Sequence, residues 1–252
     1  MSHRILSLHA GYEAGGDFVD GYVARPATPG PHPGLVVISG MGGLNWFQRE
    51  ITRAFARGGF VAASPDLFDG ALPQGRATQL LYKNSLDVDR TVAHLVGGVD
   101  FLHSLPWVAD DSPIGVVGFC LGGGLTLLSL ARSNAFGAGV VYYHSLFPDP
   151  EELANITAPM MCHYGAADHT TPIEEIEAFR ASLDRLRKEY ELFMYEGVGH
   201  SFLNPAQDSS ARREEAAALS LERTFAFFHE RLAGAAAPEP VAVAASDADA
   251  EE

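Results

Sequence analysis

Three residues have the types and the chain order needed for acyl transfer. Cys120 sits in "IGVVGFCLGGGLTLL", where Gly118-Phe119-Cys120-Leu121-Gly122 follows an apolar run and precedes a second one. A G-x-C-x-G turn between a buried strand and a helix is the cysteine counterpart of the G-x-S-x-G nucleophile elbow. The turn is so tight that its central residue is strained, and glycines flank it because side chains there would strike strand or helix. It presents the side chain at a helix N-terminus, where partial positive charge favours an anion. A thiol attacks as its thiolate, so such a place raises its reactivity. A small buried cysteine among packing glycines is the plainer reading of the same residues. A nucleophile of this kind also needs a base, and the base needs an orienting acid. Asp168, in "YGAADHTTP", and His200, in "YEGVGHSF", each follow a short apolar run. Taken singly, they also read as a turn aspartate and an exposed loop histidine. Together they fall in the order nucleophile, acid, histidine, at strand ends where sites in open α/β sheets gather.

The elements that must hold them alternate. Leu35–Ser39, Phe60–Ser64, Ile114–Gly118, Gly139–Tyr143, Met160–Tyr164 and Tyr190–Tyr195 read as strands, several apolar throughout, as strands covered on both faces are. Between them Phe47, Ile51 and Phe55 recur at helical spacing, as do Val88, Val92, Leu95, Val99 and Leu102, and then Ile176, Phe179, Leu183 and Leu186. A last helix is expected from about Ser210 to Leu232. This pattern predicts an α/β fold with a mostly parallel central sheet and helices on both faces. "HRILSLHA" and "DFVDGYVA" read as an antiparallel lead-in, and Asp66–Ser85 as a long loop or small helix above the sheet.

Composition narrows the partners. The 252 residues suit one large domain, expected over 1–233, with an acidic Ala/Pro-rich tail over 234–252 expected to be disordered. Net charge is −15, with lysine only at Lys83 and Lys188, so clustered positive charge for nucleic acid is missing. No apolar run reaches the roughly 20 residues of a membrane helix, and the N-terminus has no long apolar signal segment. The expectation is a cytoplasmic protein, monomer or homodimer, acting on a small molecule. Two cysteines, Cys120 and Cys162, leave a disulfide open on count, but neither lies in a CxxC pair. No HxH or HExxH spacing marks a metal site, and no cofactor is expected.

On "GFCLGGG", "GAADHTTP", "EGVGHSF", "GLNWFQREI…GGFVAASPDLF" and "VVYYH", the chain resembles the dienelactone hydrolase family, the cysteine branch of the α/β-hydrolases, over about Phe18 to Leu232. The resemblance implies an α/β-hydrolase fold and a Cys120–His200–Asp168 triad cleaving esters or lactones through a thioester. It also implies an oxyanion hole formed by the N–H groups of Leu121 and of Met41, in "SGMGGLN". The chain departs from the family in two places. Members usually carry a glutamate just before the second oxyanion donor, touching the resting cysteine; here that position is Gly40. Two arginines usually clamp the lactone's carboxylate; here Asn204 and Thr78 occupy those positions, with Arg76 offset near Tyr82-Lys83. An unpaired anion in a dry pocket is costly, so a neutral ester or lactone is expected. A phosphotriester, whose P=O also develops charge, is a further substrate for such a hole.

Substrate-binding candidates are Trp46, Arg76, Tyr82 and Phe119 from the first half of the chain. From the second half they are Tyr143, His144, Ser201 and Phe202. Core packing explains the aromatic ones equally well. His144 stands where the family usually has a small residue, and is expected to face the cleft, as a leaving-group contact or a satisfied loop histidine. Two rival functions fit parts of the sequence. "VVISGMGGLNWF" with Asp66 imitates a dinucleotide-binding fingerprint but lacks its last glycine, and the missing glutamate leaves room for a catalytically silent binding protein.

Overall fold

The computed structural model describes residues 4–232; the expected tail lies outside them. The chain runs β1 (Ile5–Ala14), β2 (Asp17–Pro26), β3 (Gly34–Ile38), α1 (Trp46–Arg57), β4 (Val61–Pro65), α2 (Arg76–Ser85) and α3 (Val88–Ser104). It continues through β5 (Ile114–Phe119), α4 (Leu121–Arg132), β6 (Phe136–Tyr142), α5 (Pro150–Leu153), β7 (Met160–Gly165), α6 (Ile173–Arg185), β8 (Tyr190–Tyr195) and α7 (Ala211–Leu232). The eight strands form one sheet in the order β1-β2-β4-β3-β5-β6-β7-β8. From β4 to β8 every pairing is parallel, whereas β1–β2 and β2–β4 are antiparallel. This is the α/β-hydrolase arrangement, and the mostly parallel sheet matches the alternating pattern of the sequence.

Every residue of β3, β4 and β5 is buried, which is why these segments are runs of Val, Ala and Ile rather than alternating strands. The helices seal two core layers. Val92, Leu95, Leu125, Ile176 and Phe179, from α3, α4 and α6, lie in one. Ile51, Phe55, Phe227 and Phe228, from α1 and α7, lie in the other. Each such side chain contributes roughly 1.5–3 kcal/mol by leaving water. Helix starts are fixed locally. Asn45 Oδ1 accepts from Gln48 N at 3.0 Å at the head of α1, and Asp87 Oδ1 accepts from Arg90 N at 3.0 Å at the head of α3. By contrast α2 has no side-chain cap and contributes no buried residue. No helix among the described residues is long and apolar enough to cross a membrane.

A polar network is sealed in the second layer. Tyr142 OH lies 2.7 Å from Thr224 Oγ1 and donates to Ser220 O at 3.1 Å. His163 in β7 bonds Thr224 Oγ1 through Nε2 at 3.1 Å and Tyr195 OH through Nδ1 at 2.9 Å. Arg223 Nη1 donates to Tyr195 OH at 3.2 Å. Strands β6, β7 and β8 are thereby fastened to α7 by hydrogen bonds as well as by packing.

Candidate active site

The parallel strands all end on one edge of the sheet, and the loops that leave β3, β5, β6, β7 and β8 meet there. At the end of β5 the chain turns into α4 through Cys120, whose φ of 56° and ψ of −113° lie outside the regions that L-residues favour. Neighbouring glycines permit the turn by close approach. A Cβ on Gly118 would lie 2.0 Å from Gly122 O, and one on Gly122 would lie 2.4 Å from Ile38 O. Cys120 N donates to Tyr142 O at 3.1 Å, so the elbow is also pinned to β6.

Asp168 and His200 arrive on adjoining loops that are zipped together. Ala166 N donates to Tyr195 O at 2.9 Å, and Ala167 N to Val198 O at 3.0 Å. Asp168 is buried. Its Oδ1 accepts from Thr170 N at 2.7 Å and from Thr171 N at 3.0 Å, and its Oδ2 accepts from His200 Nδ1–H at 2.8 Å. The carboxylate therefore holds the imidazole with Nε2 free. Nε2 is buried and has no hydrogen-bond partner of standard geometry among the described residues.

Thiol and imidazole nonetheless act on one another. Burial pushes the Cys120 thiol up, but His200, the Ser145 hydroxyl and the Leu121 N–H together outweigh it and hold the thiol below its ordinary pKa. Burial pulls His200 down, but the hydrogen bond to Asp168 and the neighbouring thiol outweigh it and raise the imidazole to about 9. The two shifts draw the pair toward thiolate and imidazolium. Leu121 N–H, at the first position of α4, points at the sulfur side of the turn. Met41 lies in the turn after β3 closed by Gly43 N donating to Gly40 O at 3.1 Å, and its own N–H makes no backbone hydrogen bond among the described residues.

The remaining candidates separate. Tyr143, with φ of 36°, packs edge-on to His200 at 5.1 Å between ring centroids, and its buried hydroxyl has no partner among the described residues. Phe119 and Phe202 are buried against Tyr142 and Tyr143, beneath the site rather than open to it. Ser201 is half-buried beside His200, at φ 59°. Trp46 is 57% exposed at the start of α1. Arg76 is exposed at the start of α2. Tyr82 sits edge-on to Phe68 and borders a hollow of about 210 Å³ that also touches Asp66, Asp87 and His94 but neither Cys120 nor His200.

The expectation that His144 faces the cleft is corrected. Its ring is fully buried among Phe147, Tyr164 and Phe179, in the α6-side layer, while Cys120 belongs to the opposite layer. The positive φ at Tyr143 breaks the strand alternation and turns His144 that way. Nδ1 bonds Tyr164 OH at 2.7 Å, and burial pulls its pKa to about 3. Ser145, by contrast, was not singled out by the sequence, yet its Oγ lies 3.4 Å from Cys120 Sγ. No spacing signal marks it; it reaches the thiol only because the loop after β6 folds back on the elbow.

A model of the dienelactone hydrolase family matches residues 19–232. A protein of Azospirillum brasilense that carries the provisional name carboxymethylenebutenolidase is 34% identical over 241 residues, which cover 90% of this chain and 98% of that one. Two crystal structures share the fold at 24% identity. A dienelactone hydrolase, provisionally so named, from Klebsiella pneumoniae superposes with a TM-score of 0.80 over 89% of this chain and 98% of that one. A dienelactone hydrolase-like promiscuous phosphotriesterase from metagenomic libraries superposes with a TM-score of 0.79 over 91% and 99%.

Proposed function

The chain belongs to the dienelactone hydrolase family and is a lactone or ester hydrolase, and from that premise we propose that Cys120, His200 and Asp168 carry the reaction through a thioester on neutral substrates. The observation that carries the reading is the strained Cys120 at the head of α4 beside an imidazole whose far nitrogen is held by a buried carboxylate at 2.8 Å.

In this reading the Cys120 thiolate attacks the carbonyl carbon, and the oxyanion accepts hydrogen bonds from Met41 and Leu121 N–H. Collapse expels the alkoxide, which takes the proton from His200 Nε2, and leaves an acyl thioester. Water then gives a proton to neutral His200 and attacks the thioester, and the departing sulfur regenerates the thiolate–imidazolium pair as the acid is released. Asp168 keeps the proton on Nδ1 and stabilises the imidazolium.

The preference for a neutral substrate rests on the mouth of the site. Asn204 and Thr78 stand where the family resemblance would put arginines, and Arg76 is exposed. Trp46, Leu72, Leu81 and Ile173 are exposed large hydrophobics on segments that follow β3, β4 and β7, on the site's edge of the sheet. The name of the metagenomic neighbour supports a side activity on phosphotriesters, for which the same oxyanion donors would serve. On this reading the enzyme works in the cytoplasm, without cofactor, nucleic acid or membrane.

The test is hydrolysis of 4-nitrophenyl acetate by Cys120→Ala beside the parent. Turnover is expected to vanish, and an acyl-enzyme is expected to form on the parent cysteine. Full retention of activity in Cys120→Ala would overturn the assignment. Rapid alkylation by iodoacetamide below neutral pH separates this enzyme from a silent binding protein.

A further inference from the structure

The thiol of Cys120 has one side-chain hydrogen-bond partner of standard geometry among the described residues, and it is a hydroxyl. Ser145 Oγ lies 3.4 Å from Sγ. The main chain repeats the contact, because Ser145 N donates to Cys120 O at 3.2 Å. The loop is held from outside as well: Lys83 Nζ, from α2, donates to Ser145 O at 3.3 Å. On its other side the thiol meets no carboxylate among the described residues. Gly40 has no side chain, and a Cβ built there would stand 3.4 Å from Cys120 Cβ. The carboxylate of Asp168 is spent on His200 and on the N–H groups of Thr170 and Thr171.

We infer that Ser145 is the positioning residue of the nucleophile, its hydroxyl steadying the Cys120 sulfur and donating to the thiolate where no acidic side chain is at hand. This deepens the reading of Cys120 as nucleophile and rests on it. A hydroxyl suits the task because it can accept from a thiol and, after rotating, donate to a thiolate. A hydrogen bond to the charged form favours that form, and the direction of the thiol's shift agrees. The titratable and charged groups facing this pair are few: His200 from the loop after β8, Asp168 behind it, the Tyr143 hydroxyl from the end of β6, and Lys83 on the Ser145 carbonyl. Of these only His200 bears on the sulfur directly, so removing the hydroxyl should leave a thiol held by His200 and the Leu121 N–H.

The experiment follows the pH dependence of iodoacetamide alkylation and of 4-nitrophenyl acetate hydrolysis in the parent, Ser145→Ala, Ser145→Thr and Cys120→Ala. In Ser145→Ala the alkylation midpoint is expected to rise by roughly one pH unit, the effect of losing one hydrogen bond to a charged atom. Its kcat/KM should fall about tenfold below that midpoint and recover above it. Ser145→Thr, which keeps the hydroxyl, should restore both. A loss of rate that is the same at every pH, with an unchanged alkylation midpoint, would mean that Ser145 serves only the loop, and the inference falls. An unchanged rate and midpoint in Ser145→Ala, with Cys120→Ala inactive, also ends it while leaving the cysteine mechanism standing. Activity retained in Cys120→Ala would instead remove the mechanism itself.

Discussion

His163 and His200 are both withdrawn from solvent, and they have opposite characters. His163 lies within β7, bonded on both nitrogens to the neutral hydroxyls of Tyr195 and Thr224, and burial pulls its pKa to about 3. His200 lies on a loop beyond β8, with a carboxylate on one nitrogen and a thiol near the other, and its pKa rises to about 9. Burial acts on both in the same direction. What differs is the charge of the partners. A neutral, fully satisfied histidine cross-braces the second core layer, whereas one flanked by a carboxylate and a thiol is held toward its protonated form. His144 resembles His163 in charge alone: a tyrosine bonds its Nδ1 and burial pulls its pKa to about 3, but its Nε2 has no partner among the described residues.

The comparison can be broken most forcefully at the carboxylate. Asp168→Asn should lower kcat on the order of 10³-fold or more, because the amide cannot hold the same tautomer or stabilise the imidazolium. The melting temperature should move far less than the rate, and steady-state kinetics beside a thermal melt would reveal any other pattern. Thr224→Val attacks the other histidine. It leaves His163 Nε2 without its partner and takes one bond from Tyr142 OH, at a cost of about 1–3 kcal/mol. Urea unfolding measures that loss, and kcat of the folded fraction should remain that of the parent. If kcat falls in step with stability, the two histidines are not separable and the contrast fails.

The pH profile sharpens the same contrast. Below the lowered thiol pKa the sulfur is protonated and attack stops. Above about 9 the imidazolium has lost the proton that the alkoxide needs. The rate should therefore describe a bell, falling roughly tenfold per pH unit beyond the alkaline limb, with the apparent values belonging to the pair. His163→Gln should not move that limb. The smallest effect is expected at Tyr143→Phe. Its hydroxyl is buried without a partner among the described residues, so removing it forfeits no hydrogen bond there, and unfolding free energy should stay within about 0.5 kcal/mol of the parent.

Much of the frame was legible before any coordinates. Fully apolar runs such as Leu35–Ser39 and Ile114–Gly118 are legible because a strand covered on both faces has no polar positions to spare. The positions of Cys120, Asp168 and His200 just past strand ends followed from those runs. What escaped was set by contacts between distant segments. The antiparallel seat of β2 on β4 is recorded in no local pattern. His144 was expected in the cleft because the family usually has a small residue there, and that comparison does not register the positive φ of Tyr143 just before it. Ser145 has no motif at all, and its nearness to the sulfur arises from a loop closure far along the chain from the elbow. His163 had no visible partner because Tyr195 and Thr224 come from a later strand and the last helix.

Helix α2 gives neither core layer a single buried side chain, yet through Lys83 Nζ on Ser145 O it reaches the loop beside the nucleophile. Tyr82 and Lys83 apart, its sequence can therefore drift, or be redesigned, at little expense to folding. New substrate range should arise most readily from that roof, while the sheet beneath it stays unaltered.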